Sequence, residues 1–462
     1  MIFEYRDSGG AALAIGGWAG EFGAGWDDAR LRTMKVLVIG GGGREHALVW
    51  ALGRSERVTE VVCAPGNAGI AMLARCVALD VNDVGATVEL AVAEAPGLVV
   101  IGSEVPLSLG VADALEEKGV RVFGPTMEAA QLESSKSFAK EFMRKNGILT
   151  AAYAVCTTPD EVKGALRDFF VPVVVKADGL AAGKGVVICQ THQEAEAAAS
   201  RMFSGELLGV EVEDVVLEEF LWGEELSFFA LCDGRTAVPI AAAQDHKRMG
   251  EGDTGPNTGG MGAYSTDELM GGEMRAWLTA NVAQRVVDGM REQWSEFRGV
   301  LFCGMMMVPR RDGTVEPMVL EFNTRFGDPE TEALMVRLET DVLDLLEAAV
   351  DGTAHALEVR MRPGASACVI AASGGYPGRY AGGKVISGLD DVGEGVVVFH
   401  AGTAERDGHV VTAGGRVLGV TAASEAGLED ALGKVYAAMG KISFDGMQYR
   451  RDIGWRALEE KR

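Results

Sequence analysis

Cysteine, histidine and positive charge are all scarce in this chain, and each shortage closes off a class of function. Its seven cysteines, Cys63, Cys76, Cys156, Cys189, Cys232, Cys303 and Cys368, are scattered over 462 residues. They are odd in number and never stand at the spacing of a two-cysteine metal or redox motif. They read as buried thiols in a reducing cytoplasm, and iron-sulfur chemistry has no support. The six histidines show no ligand spacing, so a zinc centre has little support either. Lys and Arg number 43 against 67 Asp and Glu, a net charge of -24. Such a chain repels nucleic acid, and any phosphate must be held locally by loops, helix ends or single lysines. No apolar run reaches the roughly 18 to 20 residues that span a bilayer. The expectation is a cytoplasmic protein of roughly three or four domains, with no nucleic-acid and no membrane partner.

What the chain does have is glycine at particular junctions. Residues 1–33 carry seven glycines without apolar periodicity, and a clean strand opens at Met34. We therefore expect Met34 to be the natural start and the first 33 residues to be a disordered extension. From Lys35 the pattern is strand, Gly40-Gly41-Gly42-Gly43, then a helix from Arg44. Glycines between a strand and a helix N-terminus let backbone N–H groups approach a phosphate. The full dinucleotide fingerprint is missing, since Arg44-Glu45-His46 stands where its third glycine belongs, which argues against a nicotinamide-dependent oxidoreductase. Strands at 98–101 and 120–123, with a helix at 109–118 between them, complete a parallel doubly wound unit to about residue 135. Its strand ends carry Asn67 and Gly102-Ser103-Glu104.

A helix from Lys136 to about Lys145, with Ser134 as its cap, leads into a compact insert over Tyr153–Phe220. Within it, Gly179 to Gly185 is a glycine hairpin containing Lys184, one able to close over phosphates; it is no Walker loop, because Gly185 stands where Ser or Thr would bind magnesium. The segment 244–264 reads as a long polar loop, the kind that is functional in compact enzymes. On the strand that opens near 315, Glu321 and Asn323 share a face. Their hard oxygens suit Mg²⁺, with Arg325 and Asp328 a few residues on to meet an anionic or zwitterionic substrate.

Taken together, GGGGREHAL (40–48), APGNAG (64–69), KADGLAAGKGV (176–186), QDHKRMGEGDTGPNTGGMGAY (244–264), EFNTRFGDPET (321–331), ASGGYPG (372–378) and RRDIGWRAL (450–458) resemble one family in order and spacing. It is the phosphoribosylamine-glycine ligases, or glycinamide ribonucleotide synthetases, of the ATP-grasp superfamily, and the likeness covers residues 34–457. The resemblance implies an α/β multidomain fold: an N-terminal doubly wound parallel-sheet domain (34–135), an ATP-grasp core (136–356) with a small lid insert at about 153–222, and a small mixed C-terminal domain (357–462). It implies ATP-dependent joining of glycine to 5-phosphoribosylamine through a glycyl phosphate, with Mg²⁺ or Mn²⁺, in a monomer or weak homodimer.

Carried over by position, the resemblance makes Glu321 and Asn323 metal ligands. Lys136, Lys176, Gly183, Lys184 and Gly185 become phosphate contacts, and Glu218, Phe220 and Leu221 the adenine connection, with Glu225 on the ribose. Gly42, Gly43, Asn67, Glu104 and Asp328 become substrate contacts, while Arg325, Asp245 and Lys247 are catalytic, with Arg248 beside them. Phe302–Val308 lacks the extra carboxylate that many ATP-grasp enzymes place there, which implies leaner metal coordination. The alternatives are another ATP-grasp ligase or carboxylase acting on a phosphoribosyl substrate, and a phosphoribosyl-binding module without catalysis.

Overall fold

The computed structural model describes residues 33–180, 185–207 and 209–459, so the expectations for the N-terminal extension and for Gly183 and Lys184 fall outside it. Strand β1 (Met34–Gly40) buries Val36 through Ile39 completely, as a central parallel strand covered on both faces must. Then come α1 (Gly43–Leu52), β2 (Val58–Pro65), β3 (Arg75–Cys76), α2 (Val84–Glu94), β4 (Leu98–Ile101), α3 (Glu104–Ser108), α4 (Val111–Glu116) and β5 (Val122–Phe123). The five strands form one parallel sheet in the order β3-β2-β1-β4-β5. Chain order reverses about β1, so the loops after β1 and β4 flank the switch point at which such sheets take ligands. The expected helix over 109–118 is instead two short helices, because Gly110 adopts a left-handed φ of +80° between them.

Helix α5 (Met127–Ser134) is followed at once by α6 (Lys136–Lys145). The cap of α6 is Ser135, one residue later than expected; its hydroxyl takes the Phe138 N–H, while Ser134 closes α5. The insert holds β6 (Tyr153–Cys156), α7 (Pro159–Ala165), β7 (Val173–Ala177), β8 (Val186–Cys189), α8 (His192–Phe203) and β9 (Val215–Glu219). Its antiparallel sheet, in the order β6-β9-β7-β8, is sealed by Val162, Ala199 and Met202 from the two helices.

The remaining elements are β10 (Glu224–Asp233), β11 (Ala237–Asp245), β12 (Arg248–Gly250), β13 (Thr254–Asn257), β14 (Gly262–Thr266), α9 (Gly272–Leu278), α10 (Gln284–Gln293), β15 (Arg298–Pro309), β16 (Val315–Asn323), α11 (Glu330–Met335), α12 (Val342–Val350), β17 (Ala365–Ala372), β18 (Val396–His400), β19 (Thr403–Arg406), β20 (His409–Thr412), β21 (Arg416–Ser424), α13 (Leu428–Met439) and α14 (Trp455–Glu459). One antiparallel eight-stranded sheet, β16-β15-β10-β11-β14-β17-β21-β18, takes in both the core strands and three strands of the C-terminal segment. Strand β14 makes the join, pairing β11 on one side and β17 on the other. The stretch 244–264 is therefore not the loop expected of its composition. It folds into the β12-β13 hairpin and β14, anchored by fully buried His246 and Met261. Glycine hid the strand because it contributes no side chain to the alternating pattern. At Gly262, φ +151°, an added Cβ would lie 2.6 Å from the Cys368 carbonyl oxygen.

Every residue of α11 is buried, and the helix packs against α1 as well as β11, β14, β17 and β21. A second tie between the N-terminal unit and the C-terminal strands is the His400 N–H donating to His46 Nδ1 at 2.7 Å. Among the described residues no helix is long and apolar enough to cross a membrane.

Burial pushes the His400 imidazole down to about 4. Burial, with neighbouring His400 adding to it, pushes His46 down to about 3. Both stay neutral in the folded chain, whereas unfolded histidine titrates near ~6.5. Stability from this pair is thus fully present above ~6.5 and is lost as pH falls toward 4 and below, where the unfolded state binds more protons. Urea unfolding at pH 7 and pH 5 tests this: His400→Gln is expected to flatten the acid-side loss by about one proton, and an unchanged slope would contradict it.

Candidate active site

Three charged side chains from three elements meet where the insert abuts the main sheet. The Glu218 carboxylate, on β9, lies 2.8 Å from Lys176 Nζ on β7 and 2.8 Å from Lys140 Nζ on α6. Lys140 and Glu218 are each 2% exposed. Lys140 also donates to the Thr150 hydroxyl at 2.7 Å, which donates to the Val319 carbonyl at 2.6 Å, and Lys176 donates to the Leu320 carbonyl at 3.3 Å. The cage thereby ties the insert to β16. Burial drives the Lys140 amine down to about 8, against the pull of Glu218. Burial alone would raise the Glu218 carboxyl, but Lys176 and Lys140 outweigh it and hold it below the usual carboxylate range.

The Glu218 carboxylate turns to the two lysines, so only its backbone is free for the adenine connection expected of it. The crossing to β10 is left to Phe220, which meets Trp222 edge-on at 4.8 Å, and to buried Leu221. Asp178 caps α6, accepting from the backbone N–H groups of Lys136 and Ser137, and Lys136 Nζ donates to the Gly179 carbonyl at 2.7 Å. The start of the glycine hairpin is thus pinned to the helix. At its far end the Gly185 carbonyl takes the Ala177 N–H at 2.8 Å.

Glu321 stands among cations. Lys247 Nζ is 3.7 Å away and also pairs with Glu225 at 2.9 Å. Burial would raise the Glu321 carboxyl, but Lys247, Lys176, Lys136 and Arg325 together hold it low. Burial likewise opposes the charge on Lys247, and Glu225 and Glu321 overcome it. Asn323 offers its carbonyl oxygen to Arg325 at 3.2 Å, and its buried amide nitrogen has no partner among the described residues. Among the described residues no three carboxylates, histidines or cysteines gather as a metal cage. One carboxylate and one amide oxygen inside a ring of lysines fit a divalent ion whose remaining ligands are polyphosphate and water. They do not fit an ion held by protein alone, which the lysines would repel.

The N-terminal loops close the other side. Gly42 N–H donates to Glu45 Oε2 at 2.6 Å, and Glu45 Oε1 takes Arg44 Nε at 2.6 Å. Arg44 also donates to the Phe326 carbonyl at 3.2 Å and lies 3.8 Å from Glu104. Arg325 meets Glu104 at 3.1 Å and Glu133 at 2.7 Å. The charge around the loop differs from that of the phosphate cradle expected there. Glu45 occupies the helix end, Glu332 abuts Gly43, and Asp328 abuts Gly42. A phosphate on that first turn would face carboxylates, while hydroxyl or amine groups would not be repelled.

Asn67 commits its side chain internally, donating to the Gly41 and His400 carbonyls at 2.9 and 2.7 Å and accepting from Gly69 and Ile70. Asp328 pairs with Arg416 of β21 at 3.2 Å, and Arg416 also donates to the Gly259 and Asp328 carbonyls. Half-buried Asp245, beside Glu330, has its carboxyl raised well above the usual range by desolvation and then by Glu330. Arg248 turns away to the Gly255 carbonyl. The structure thus brings together Lys136, Lys176, Glu218, Glu225, Lys247, Glu321, Asn323, Arg325 and Glu104. Sequence reasoning missed Lys140, Arg44, Glu133 and Arg416. Only the helix-opening Gly-Arg-Glu run hinted at one of them, since a buried ion pair leaves no local spacing.

A four-stranded lid sheet clasping a lysine-lined site against an antiparallel core is the architecture of the ATP-grasp class, and residues 134–331 match the phosphoribosylglycinamide synthetase ATP-grasp (A) domain. Residues 34–133 match the N domain of that synthetase and residues 366–456 its C domain. The chain belongs to the phosphoribosylglycinamide synthetase family. It is 50% identical over 432 residues to the phosphoribosylamine-glycine ligase of Xanthomonas campestris, covering 93% of this chain and 99% of that one. Against the ligase of the same name from Vibrio parahaemolyticus it is 46% identical, covering 92% and 99%. The crystal structure of phosphoribosylamine-glycine ligase from Thermotoga maritima superposes with a TM-score of 0.80 at 36% identity, over 91% of this chain and 100% of that one. A biotin carboxylase from Campylobacter jejuni, 14% identical over 94% and 96% with a TM-score of 0.70, shares the fold alone.

Glu218→Gln leaves Lys140 and Lys176 buried without the carboxylate they pair with. The expected cost is about 3 to 5 kcal/mol of unfolding free energy, read from the urea midpoint, with the Lys140 amine falling further below 8. A midpoint unchanged from wild type would show that the cage does not hold the insert to the core.

Proposed function

We propose that the chain joins glycine to 5-phosphoribosylamine at the expense of ATP, giving glycinamide ribonucleotide, ADP and phosphate, a step of de novo purine biosynthesis. The observation that carries this reading is that Glu321 and Asn323 stand between the lysines Lys136, Lys176 and Lys247 and, through Arg325 and Glu104, the N-terminal loops. In it, an oxygen of the glycine carboxylate attacks the terminal phosphorus of ATP and the bond to ADP breaks. The amine nitrogen then attacks the carbonyl carbon of the glycyl phosphate, and phosphate leaves. Neither step needs a protein nucleophile; both need positioning and charge neutralisation.

In this reading Lys136, Lys176 and Lys247 balance the phosphate charge. Phe220 and Leu221 line the adenine edge, Glu225 stands near the ribose, and Gly183 to Gly185 cover the phosphates. Glu321 and Asn323 hold Mg²⁺ or Mn²⁺, which when bound polarises the phosphoryl oxygens. Arg325 takes the glycine carboxylate, while Asp328, Glu104, Gly42 and Gly43 meet the second substrate. Asp245 walls the same site. Asn67 acts through the Gly41 backbone that it fixes.

The test is ADP release with Mg²⁺ and ATP, adding glycine and freshly generated phosphoribosylamine separately and together; release is expected only with both. Glu321→Gln is expected to cut turnover by about a thousandfold or more, roughly 4 kcal/mol of transition-state stabilisation, with the thermal midpoint preserved. Near-wild-type rates in that variant would overturn the metal assignment.

A further inference from the structure

We propose that Glu133 is a positioning residue of this site, holding Arg325 in place for the carboxylate of the amino-acid substrate. The proposal rests on the ligase reading above and deepens it. Glu133 is the penultimate residue of α5, and its side chain is 7% exposed. Its Oε1 lies 2.7 Å from the Arg325 guanidinium. Its Oε2 takes the Thr324 backbone N–H at 2.8 Å and stands 3.2 Å from the Thr324 hydroxyl. Both carboxylate oxygens are thus tied to the two residues that follow Asn323, and the guanidinium they hold donates to the Asn323 side chain at 3.2 Å. Moving Glu133 therefore moves the end of β16 on which Asn323 stands.

The two carboxylates on Arg325 are not equivalent. The Glu104 side chain is 30% exposed and meets Arg325 and, more distantly, Arg44. Glu133 is buried and has a backbone donor as well. Arg44 and Arg325 together face the three carboxyl groups of Glu45, Glu104 and Glu133. A substrate carboxylate can take an edge of the guanidinium only if one resident carboxylate gives way. The arm that yields is the exposed one, Glu104, which is then free to meet an amine. Glu133 is the arm that stays, and it keeps the guanidinium from following Glu104 outward.

Steady-state kinetics of the full chain carrying Glu133→Gln test this, because glutamine still offers an oxygen to the Thr324 N–H while losing the charge that holds Arg325. The expected result is a KM for glycine raised about tenfold or more, with ADP affinity by calorimetry and the thermal midpoint unchanged. The penalties of Glu133→Gln and Arg325→Lys should also fail to add in the double variant, because one acts through the other. A glycine KM within about twofold of wild type, equal losses for glycine, phosphoribosylamine and ADP, or strict additivity would overturn the proposal. If Glu133→Gln does not fold, Glu133→Asp keeps the charge but shortens its reach, and the same glycine-selective rise decides. Wild-type ADP release that ignores glycine would instead sink the ligase reading, and that is seen before any variant is made.

Discussion

A carboxylate shared by two ammonium groups out of reach of water is an unforgiving arrangement, and the Glu218 cage is one. Each member is tolerable only while the others are present, since burying a lone charge costs several kcal/mol. Its three members come from α6, β7 and β9, and hydrogen bonds run on to β16, from Lys140 through Thr150 and from Lys176 directly to the Leu320 carbonyl. The placement of the insert over the core and the placement of these two lysines are therefore one problem with one solution. Long flexible side chains are thus already ordered when the chain folds.

The same economy appears across the site. Glu45, Arg44, Glu104, Arg325 and Glu133 alternate in sign from the glycine loop to the end of β16. This chain of charges is a physical link between the N-terminal loops and the end of β16. The glycines of the first loop serve close approach more than anion binding: an added Cβ at Gly41 would come within 2.5 Å of the Gly66 carbonyl oxygen. The N-terminal end of α1 is already balanced by Glu45.

Much of this was legible in the sequence because strands buried on both faces and glycines at strand ends write local patterns. Strand β4 (Leu98–Ile101) falls where the apolar run puts it, and β16 places Glu321 and Asn323 where alternation does. What stayed hidden has in common that the partner lies far along the chain. Glu133 and Thr324 are 191 residues apart, and Arg325 and Glu104 are 221, and no window of sequence holds both. Other misses were conformational. Gly110 splits a helix through its φ, and Ser135 takes the cap from its neighbour because α5 ends on Ser134. The segment 244–264 looked like a loop because its pairing is written in backbone hydrogen bonds, which composition does not record.

The eight-stranded sheet that runs from β16 to β18 without a break at β14 bears on how such a chain can be dissected or recombined. Sequence matching separates the ATP-grasp segment from the C domain, yet the boundary between them crosses a sheet whose ladder continues on both sides. A cut there would bare the unpaired edge of β14 on one piece and of β17 on the other, two templates for adventitious strand pairing. The C-terminal segment is thus less a module appended to the enzyme than the second half of its scaffold. Gain or loss of that segment during evolution would have to pass through a state with an open edge, a barrier set by backbone hydrogen bonding and not by any catalytic residue.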